Sequence, residues 1–250
     1  MKKNNNIIWD GVYESFSDIQ SEKEVFNDNL WLLSQEKEVS KILNIIETEK
    51  KIGISSVTED SHDALSVILG IKAFENKVTV LDFGGGIGST FLKSLEMVEN
   101  INNVKFIILE SEIICQKAQE IFSKNNQVIF VNKIPSNSFK CDIVNASSSM
   151  QYIDDWKGLL KSFQNYKPEF MIFSDLPAGD IESFVTTQSY YGNKIPVRFY
   201  NLGEFIFAME AIGYKLTSKA RQDNGYKNHM NVFEKKYRLD YFSTLVFRAL

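Results

Sequence analysis

The segment Val78-Thr-Val-Leu-Asp82-Phe-Gly84-Gly85-Gly86-Ile-Gly88-Ser-Thr90 constrains this chain more than any other. It reads as a short buried strand that ends in a carboxylate, turns through glycine and enters a helix. Val78, Val80 and Leu81 form the apolar, β-branched run of a parallel strand covered on both faces, and sheets of such strands are crossed by helices. Glycine at Gly84, Gly85, Gly86 and Gly88 lets the backbone turn, and lets a ligand or a second backbone approach, where side chains would obstruct both.

The spacing narrows the ligand. A dinucleotide fingerprint needs Gly-x-Gly-x-x-Gly, so that a pyrophosphate rests on a helix N-terminus. Counting from Gly84 puts Ser89 at the last position, and counting from Gly86 puts Phe91 there, so neither register closes. The order that fits is Asp82-x-Gly84-x-Gly86-x-Gly88, a carboxylate ahead of alternating glycines. This suits a phosphate-free ligand that carries positive charge, and S-adenosylmethionine is such a ligand. Charge-assisted hydrogen bonds from its amino-acid portion to Asp82, direct or through water, contribute roughly 1.5–3 kcal/mol each. A second carboxylate supports the reading. Val104-Lys-Phe106-Ile-Ile-Leu109 is another apolar run, and it ends in Glu110 after a helical stretch from Ser89 to Glu99. On a neighbouring parallel strand Glu110 faces the same sheet edge as the glycine bend, where two ribose hydroxyls can donate to its two oxygens. Ser111 joins the expected cofactor set, while Glu112 reads as part of the next helix.

A chain of 250 residues can bury one substantial core. A net charge of −4, with only four arginines among 28 basic residues and no basic stripe, argues against a nucleic-acid partner. Cys115 and Cys141 lack metal-ligand spacing, so no metal site is expected and a reducing compartment is the simple inference. The N-terminus lacks a signal-peptide apolar core and no apolar run approaches eighteen residues. A cytoplasmic protein without stable membrane insertion is expected; the oligomeric state stays open.

The pattern predicts an α/β fold, a doubly wound, mostly parallel sheet of seven strands. Residues 1–72 are expected to form a helical N-terminal extension on a cofactor-binding domain of residues 73–250. Within the extension, Leu30 to Glu49 has helical spacing, and Asp60 or Ser61 can cap a second helix through Leu69. Strands are expected at 78–82, 105–110, 127–131, 142–146 and 169–174, with helices at 89–99, 112–124 and 155–164. Further on, 181–187 reads as helix or loop, 202–212 as helix, and 214–219 and 242–248 as two late strands paired in a hairpin. No strand alternation is evident in the first seventy residues.

The glycine bend and Glu110 resemble the class I, Rossmann-like, S-adenosylmethionine-dependent methyltransferases. More narrowly, the chain is similar to a family of methyltransferases encoded among bacterial capsule and lipopolysaccharide genes. The matching pieces are Trp9-Asp-Gly-Val-Tyr13 with Phe16, Leu81 to Thr90, Ser149-Met-Gln151-Tyr152-Ile153-Asp154, Phe184-Val-Thr-Thr-Gln188, Pro196-Val-Arg198-Phe-Tyr-Asn201 and Gly213-Tyr214. The resemblance implies the fold, S-adenosylmethionine as cofactor with S-adenosylhomocysteine as product, and a small-molecule or saccharide acceptor in a surface-glycan setting. By the class pattern Asn132, Lys133 and Ile134 flank the adenine, with Asn132 standing where many members have an acidic residue. Ala146 and Ser147, with the residues on to Ser149 at the tip of the fourth strand, lie beside the methionine portion and the transferred methyl.

An alcohol acceptor must lose a proton. His229, in the polar stretch between the last two strands, and Asp175, at the tip of the strand Phe170-Met-Ile-Phe-Ser174, are the candidate bases. His62 is the other histidine and reads as a residue of a helix's first turn. Tyr152, Gln188 and Arg198 are candidates to hold the acceptor, and Arg198 suits a phosphate or carboxylate because its planar fork makes bidentate contacts. Trp9 and Tyr13 read as anchors of the helical extension. The expected reaction is O-methylation of a capsule or lipopolysaccharide building block, at a sugar hydroxyl or a phosphoryl-type substituent. The alternatives are a nicotinamide-dependent oxidoreductase and a noncatalytic partner that keeps the cofactor fold.

Overall fold

The computed structural model describes residues 8–20, 29–52, 64–95, 98–136, 139–191, 193–223 and 225–250. The main sheet is built from β2 (Val78–Phe83), β3 (Val104–Leu109), β4 (Val128–Val131), β5 (Ile143–Ser147), β6 (Phe170–Leu176), β10 (Tyr214–Gln222) and β11 (Phe242–Ala249). Its seven strands lie in the order β10-β11-β6-β5-β2-β3-β4. Strands β2 to β6 are mutually parallel, and β11 runs antiparallel to both β6 and β10, the expected closing hairpin.

Helices cover both faces, as the apolar strands require. α1 (Asn29–Ile52), α2 (Ala64–Ala73), α3 (Ser89–Ser94) and α4 (Glu112–Ile121) meet the side chains of Val78, Val80, Phe106 and Ile108 on one face. α5 (Trp156–Gln164) and α6 (Leu202–Ala211) meet Leu81, Val144, Met171 and Phe173 on the other. α5 buries Trp156, Leu159, Leu160 and Phe163, a stripe at helical spacing, and Asp155 caps it by accepting from the Gly158 N–H at 2.9 Å. Asn201 caps α6 in the same way, accepting from the Glu204 N–H at 3.0 Å. The expected caps Asp60 and Ser61, and His62, lie outside the described residues. Among those described, no helix is long and apolar enough to cross a membrane.

A second sheet departs from the sequence expectation. β1 (Trp9–Tyr13), β7 (Ala178–Gly179), β8 (Phe184–Tyr190) and β9 (Asn193–Asn201) form it in the order β1-β8-β9-β7. The expected helix or loop at 181–187 is therefore a strand from Phe184 onward. Its first five residues are all buried, so the alternation that marks a half-buried strand is absent. Trp9 anchors this sheet rather than the helices: its ring meets Phe199 and Tyr226 edge-on, at 5.3 and 5.5 Å. Pro196 is tolerated in β9 because β7 pairs only with Tyr200 and Asn201, leaving that edge of Pro196 without a ladder.

Candidate cofactor and acceptor site

All five parallel strands end on one edge. The chain steps outward from β2 through β3 to β4, then returns to place β5 on the other side of β2. The crevice at such a reversal is where open α/β sheets bind ligands, and the glycine bend lies in it.

The bend uses glycine for two reasons. Gly84, Gly86 and Gly88 have φ of +68°, +58° and +93°, conformations costly for residues with a Cβ. Gly85 is needed for closeness, since a Cβ there would lie 2.3 Å from Asp82 Oδ2 and 3.0 Å from Ile108 Cγ2. Asp82 is 1% exposed and sits beneath the bend, its Oδ1 accepting from Asn145 Nδ2 at 2.7 Å. Its carboxylate thus supports the bend from below rather than facing the cavity as expected, and Gly84 to Gly86 form the surface above, with Gly88 outside the lining. The Gly84 N–H donates to the Leu109 carbonyl at 3.0 Å and ties the bend to β3.

Glu110 reaches back from the β3 tip. Its Oε1 accepts from the Gly86 N–H and its Oε2 from the Ser111 N–H, both at 3.0 Å. Burial pushes its carboxyl pKa up, against the pull of these two hydrogen bonds. Each oxygen keeps a lone pair for a further donor.

Above the bend opens a cavity of about 520 Å³, within the range of small-molecule sites. Leu109, Glu110 and Ser111 line one end. Phe83 to Gly86 with Ser89 and Thr90 form the floor, and Ser147, Ser148, Ser149, Tyr152 and Ile153 line the end beyond β5. The roof is Trp31, Gln35 and Glu38 of α1 with Tyr190 of β8. The Trp31 indole donates to the Tyr190 oxygen and joins α1 to β8 in this roof. Glu38 is held by Lys93 at 2.6 Å. Among the described lining residues Glu38 and Glu110 are the carboxylates, and none is lysine, arginine or histidine.

The other sequence candidates separate. Ser147 lines the cavity, while Ala146, 1% exposed, is packed in the core one residue below. Asn132, Lys133 and Ile134 are exposed after β4; they follow Val131, whose carbonyl accepts from the Glu110 N–H at 3.0 Å, but lie outside the lining. Tyr152 lines the cavity and donates to Gln188 Oε1 at 3.0 Å, with Gln188 itself 4% exposed. Asp175 stands one residue back from the wall, accepting from the Ser148 hydroxyl at 2.8 Å. Arg198 is not brought into the lining: its Nη2 meets Asp154 Oδ1 at 3.1 Å and its guanidinium lies over the Phe16 ring. His229 sits in the 3₁₀ segment Tyr226–Val232 beside buried Met230, also outside the lining. Ser148 and Ser149 line the cavity with Ser147, and sequence reasoning missed Trp31, Gln35 and Glu38, whose i, i+4, i+7 spacing marks one face of α1.

No family model matches the sequence, and no curated protein matches it. Solved structures do resemble the fold. A Listeria monocytogenes protein assigned as an S-adenosylmethionine-dependent methyltransferase superposes with a TM-score of 0.52 at 15% identity, over 75% of this chain and 99% of that one. A chain from the complex of the Haloferax volcanii Trm112 methyltransferase activator with a methyltransferase gives 0.55 at 11%, over 91% and 96%. The Burkholderia thailandensis 1,6-didemethyltoxoflavin-N1-methyltransferase, solved with its substrate and S-adenosylhomocysteine, gives 0.51 at 14%, over 92% and 93%. The chain therefore has the fold of the class I methyltransferases.

Proposed function

We propose that this protein is an S-adenosylmethionine-dependent methyltransferase acting on an oxygen of a small saccharide acceptor. The observation that carries the reading is the buried end of the cavity: the Glu110 carboxylate stands at the β3 tip beside the glycine bend, Glu38 is paired with Lys93, and no lysine, arginine or histidine is among the described lining residues. A dinucleotide's pyrophosphate would find no cation among the described lining residues, and its usual helix N-terminus belongs here to the six-residue α3 entered from Gly88. A sulfonium with an ammonium group meets attractive charge instead.

The residues fit the ligand part by part. Glu110 faces the ribose with two oxygens already aligned by backbone N–H groups. Gly84, Gly85 and Gly86 give a floor free of side chains, and Gln35 and Glu38 of α1 close over the methionine portion. When bound, the cofactor supplies an electrophilic methyl group. What the chain adds is orientation, worth up to roughly 7–11 kcal/mol in well-aligned reactions, and a route for the acceptor's proton. Asp175 is the candidate at the acceptor end of the cavity.

The capsule or lipopolysaccharide setting rests on the sequence resemblance. Its support is that three matching pieces, around Trp9, Gln188 and Arg198, fall in the second sheet beside Tyr152 and Tyr190, on the acceptor side. Calorimetric titration with S-adenosylhomocysteine and, separately, with NADH tests the function. Saturable binding of the former and none of the latter is expected, and the reverse result ends the methyltransferase reading.

A further inference from the structure

At the acceptor end two non-glycine residues share a costly backbone conformation. Ser148, just past β5, has φ +50° and Asp175, in β6, has φ +51°. Such pairs persist only where surrounding structure holds them, and they collect at functional sites. Here the Ser148 N–H donates to the Ser174 carbonyl at 2.9 Å. The Asp175 N–H donates to Gln222 Oε1 at 2.9 Å, an oxygen that also accepts from Thr244 Oγ1 at 3.0 Å. The product of this bracing is a directed chain: Gln151 Nε2 donates to Ser148 Oγ at 3.2 Å, and the Ser148 hydroxyl donates to Asp175 Oδ2 at 2.8 Å. A hydroxyl oxygen has two lone pairs, so Ser148 Oγ keeps one, and Ser148 is an exposed residue of the cavity wall.

The surroundings set the charge of what enters. Tyr152 at this end, with Trp31 and Tyr190 of the roof, presents aromatic surface to the cavity. Burial pushes the Tyr190 phenol up to about 12 and raises Tyr152 and Tyr226, so all three are neutral at physiological pH. Among the described tyrosines, Tyr152 and Tyr226 sense the Asp175 charge. A phosphate or carboxylate at this end would find no cation among the described lining residues and would approach the Asp175 carboxylate.

We infer that the acceptor group entering this cavity is an uncharged, hydroxyl-bearing ring of the pyranose type, and that its hydroxyl donates to Ser148, which passes a proton to Asp175. This rests on the methyltransferase reading and narrows its acceptor to a sugar hydroxyl. The acceptor oxygen bonds to the methyl carbon as the carbon–sulfur bond breaks, the electron pair staying on sulfur. The acceptor's proton moves to Ser148 Oγ while the Ser148 proton moves to Asp175 Oδ2. Ser148 touches the acceptor; Asp175 acts through it. The apolar C–H face of the ring rests on the aromatic walls.

The test uses the full chain saturated with S-adenosylhomocysteine and saturation-transfer NMR with methyl α-D-glucopyranoside and its 6-phosphate. Transfer to the neutral glycoside, weakened in Tyr190→Ala, and none to the phosphate is expected. Stronger transfer to the phosphate, or none to either, overturns the acceptor class. Failure of the unmodified protein to bind S-adenosylhomocysteine would instead count against the methyltransferase reading. The relay is read with labelled S-adenosylmethionine and the same glycoside. Asp175→Asn, which tolerates the positive φ and still accepts from Ser148, should lower kcat about 10²–10⁴-fold at unchanged KM. Ser148→Gly, unstrained at φ +50°, should lose a similar factor while folding as the parent does. Parent-like kcat in both variants, or a bound neutral glycoside that is never methylated, overturns the relay.

Discussion

Gly85→Ala separates closeness from backbone freedom at the glycine bend. Unlike its neighbours, Gly85 does not occupy the left-handed region, so alanine there carries no conformational penalty. The added Cβ would lie 2.3 Å from Asp82 Oδ2, 2.8 Å from Asp82 Cγ and 3.0 Å from Ile108 Cγ2. Neither neighbour can yield freely: Asp82 is 1% exposed and bonded to Asn145, and Ile108 is 0% exposed. Overpacking of this kind costs about 1–3 kcal/mol, and for a chain of this size about 2 kcal/mol lowers Tm by roughly 4–8 °C. The bend relieves the contact by rising, which pulls the Gly86 N–H off Glu110 Oε1. Binding of S-adenosylhomocysteine, measured by calorimetry, should then weaken about tenfold or more, equivalent to about 1.4 kcal/mol. Gly213→Ala is the control. Its φ is +86° and nothing lies within 4 Å of the new Cβ, so it should lose about 1–2 kcal/mol of stability with parental affinity. Parental affinity in a folded Gly85→Ala protein would refute the argument that this bend is the cofactor floor.

Glu110 sets a pH dependence. Burial raises its pKa in the free protein, and ribose donors favour its ionised form, so binding lowers that pKa and expels a proton. S-adenosylhomocysteine affinity should therefore fall as pH drops through the raised value, beginning at a higher pH than an ordinary glutamate would give. Glu110→Gln should bind more weakly and lose that dependence, as calorimetry across pH would show. Burial pushes the Cys115 and Cys141 thiols up to about 11 and about 12, so both stay protonated near neutrality. A thiol reagent such as Ellman's should react slowly with the native protein and rapidly in denaturant; fast native reaction would contradict their burial. Asp155→Ala removes the α5 cap and should cost about 1 kcal/mol in thermal unfolding, with no change in cofactor affinity.

Much of the main sheet was legible because its strands are short apolar runs between helical stripes, and because Asp82 and Glu110 mark two strand tips in one edge-sharing unit. The glycine bend named the floor of the cavity for the same reason. The roof was not legible. Trp31, Gln35 and Glu38 come from a helix whose local pattern shows only amphipathicity, and their partner Tyr190 lies in a strand without alternation. β8 is buried on both faces, which erases the period that identifies strands, while β1 is five residues long and takes its place only by pairing with a segment distant in sequence. Arg198 illustrates a further limit. Its residue type suits an anion, but Asp154 and Phe16 claim its guanidinium, and neither contact can be read from spacing.

On the proposed function, the tips of β2 and β3 hold an adenosyl sulfonium, with Glu110 on the ribose and the glycine bend beneath. A crystal structure of the protein grown with S-adenosylhomocysteine tests this most directly. The ribose hydroxyls should lie within hydrogen-bond distance of Glu110, with the amino-acid portion over Gly84 to Gly86 and under Gln35. Density for the ligand elsewhere, or a Glu110 carboxylate that contacts no part of it, would contradict the account.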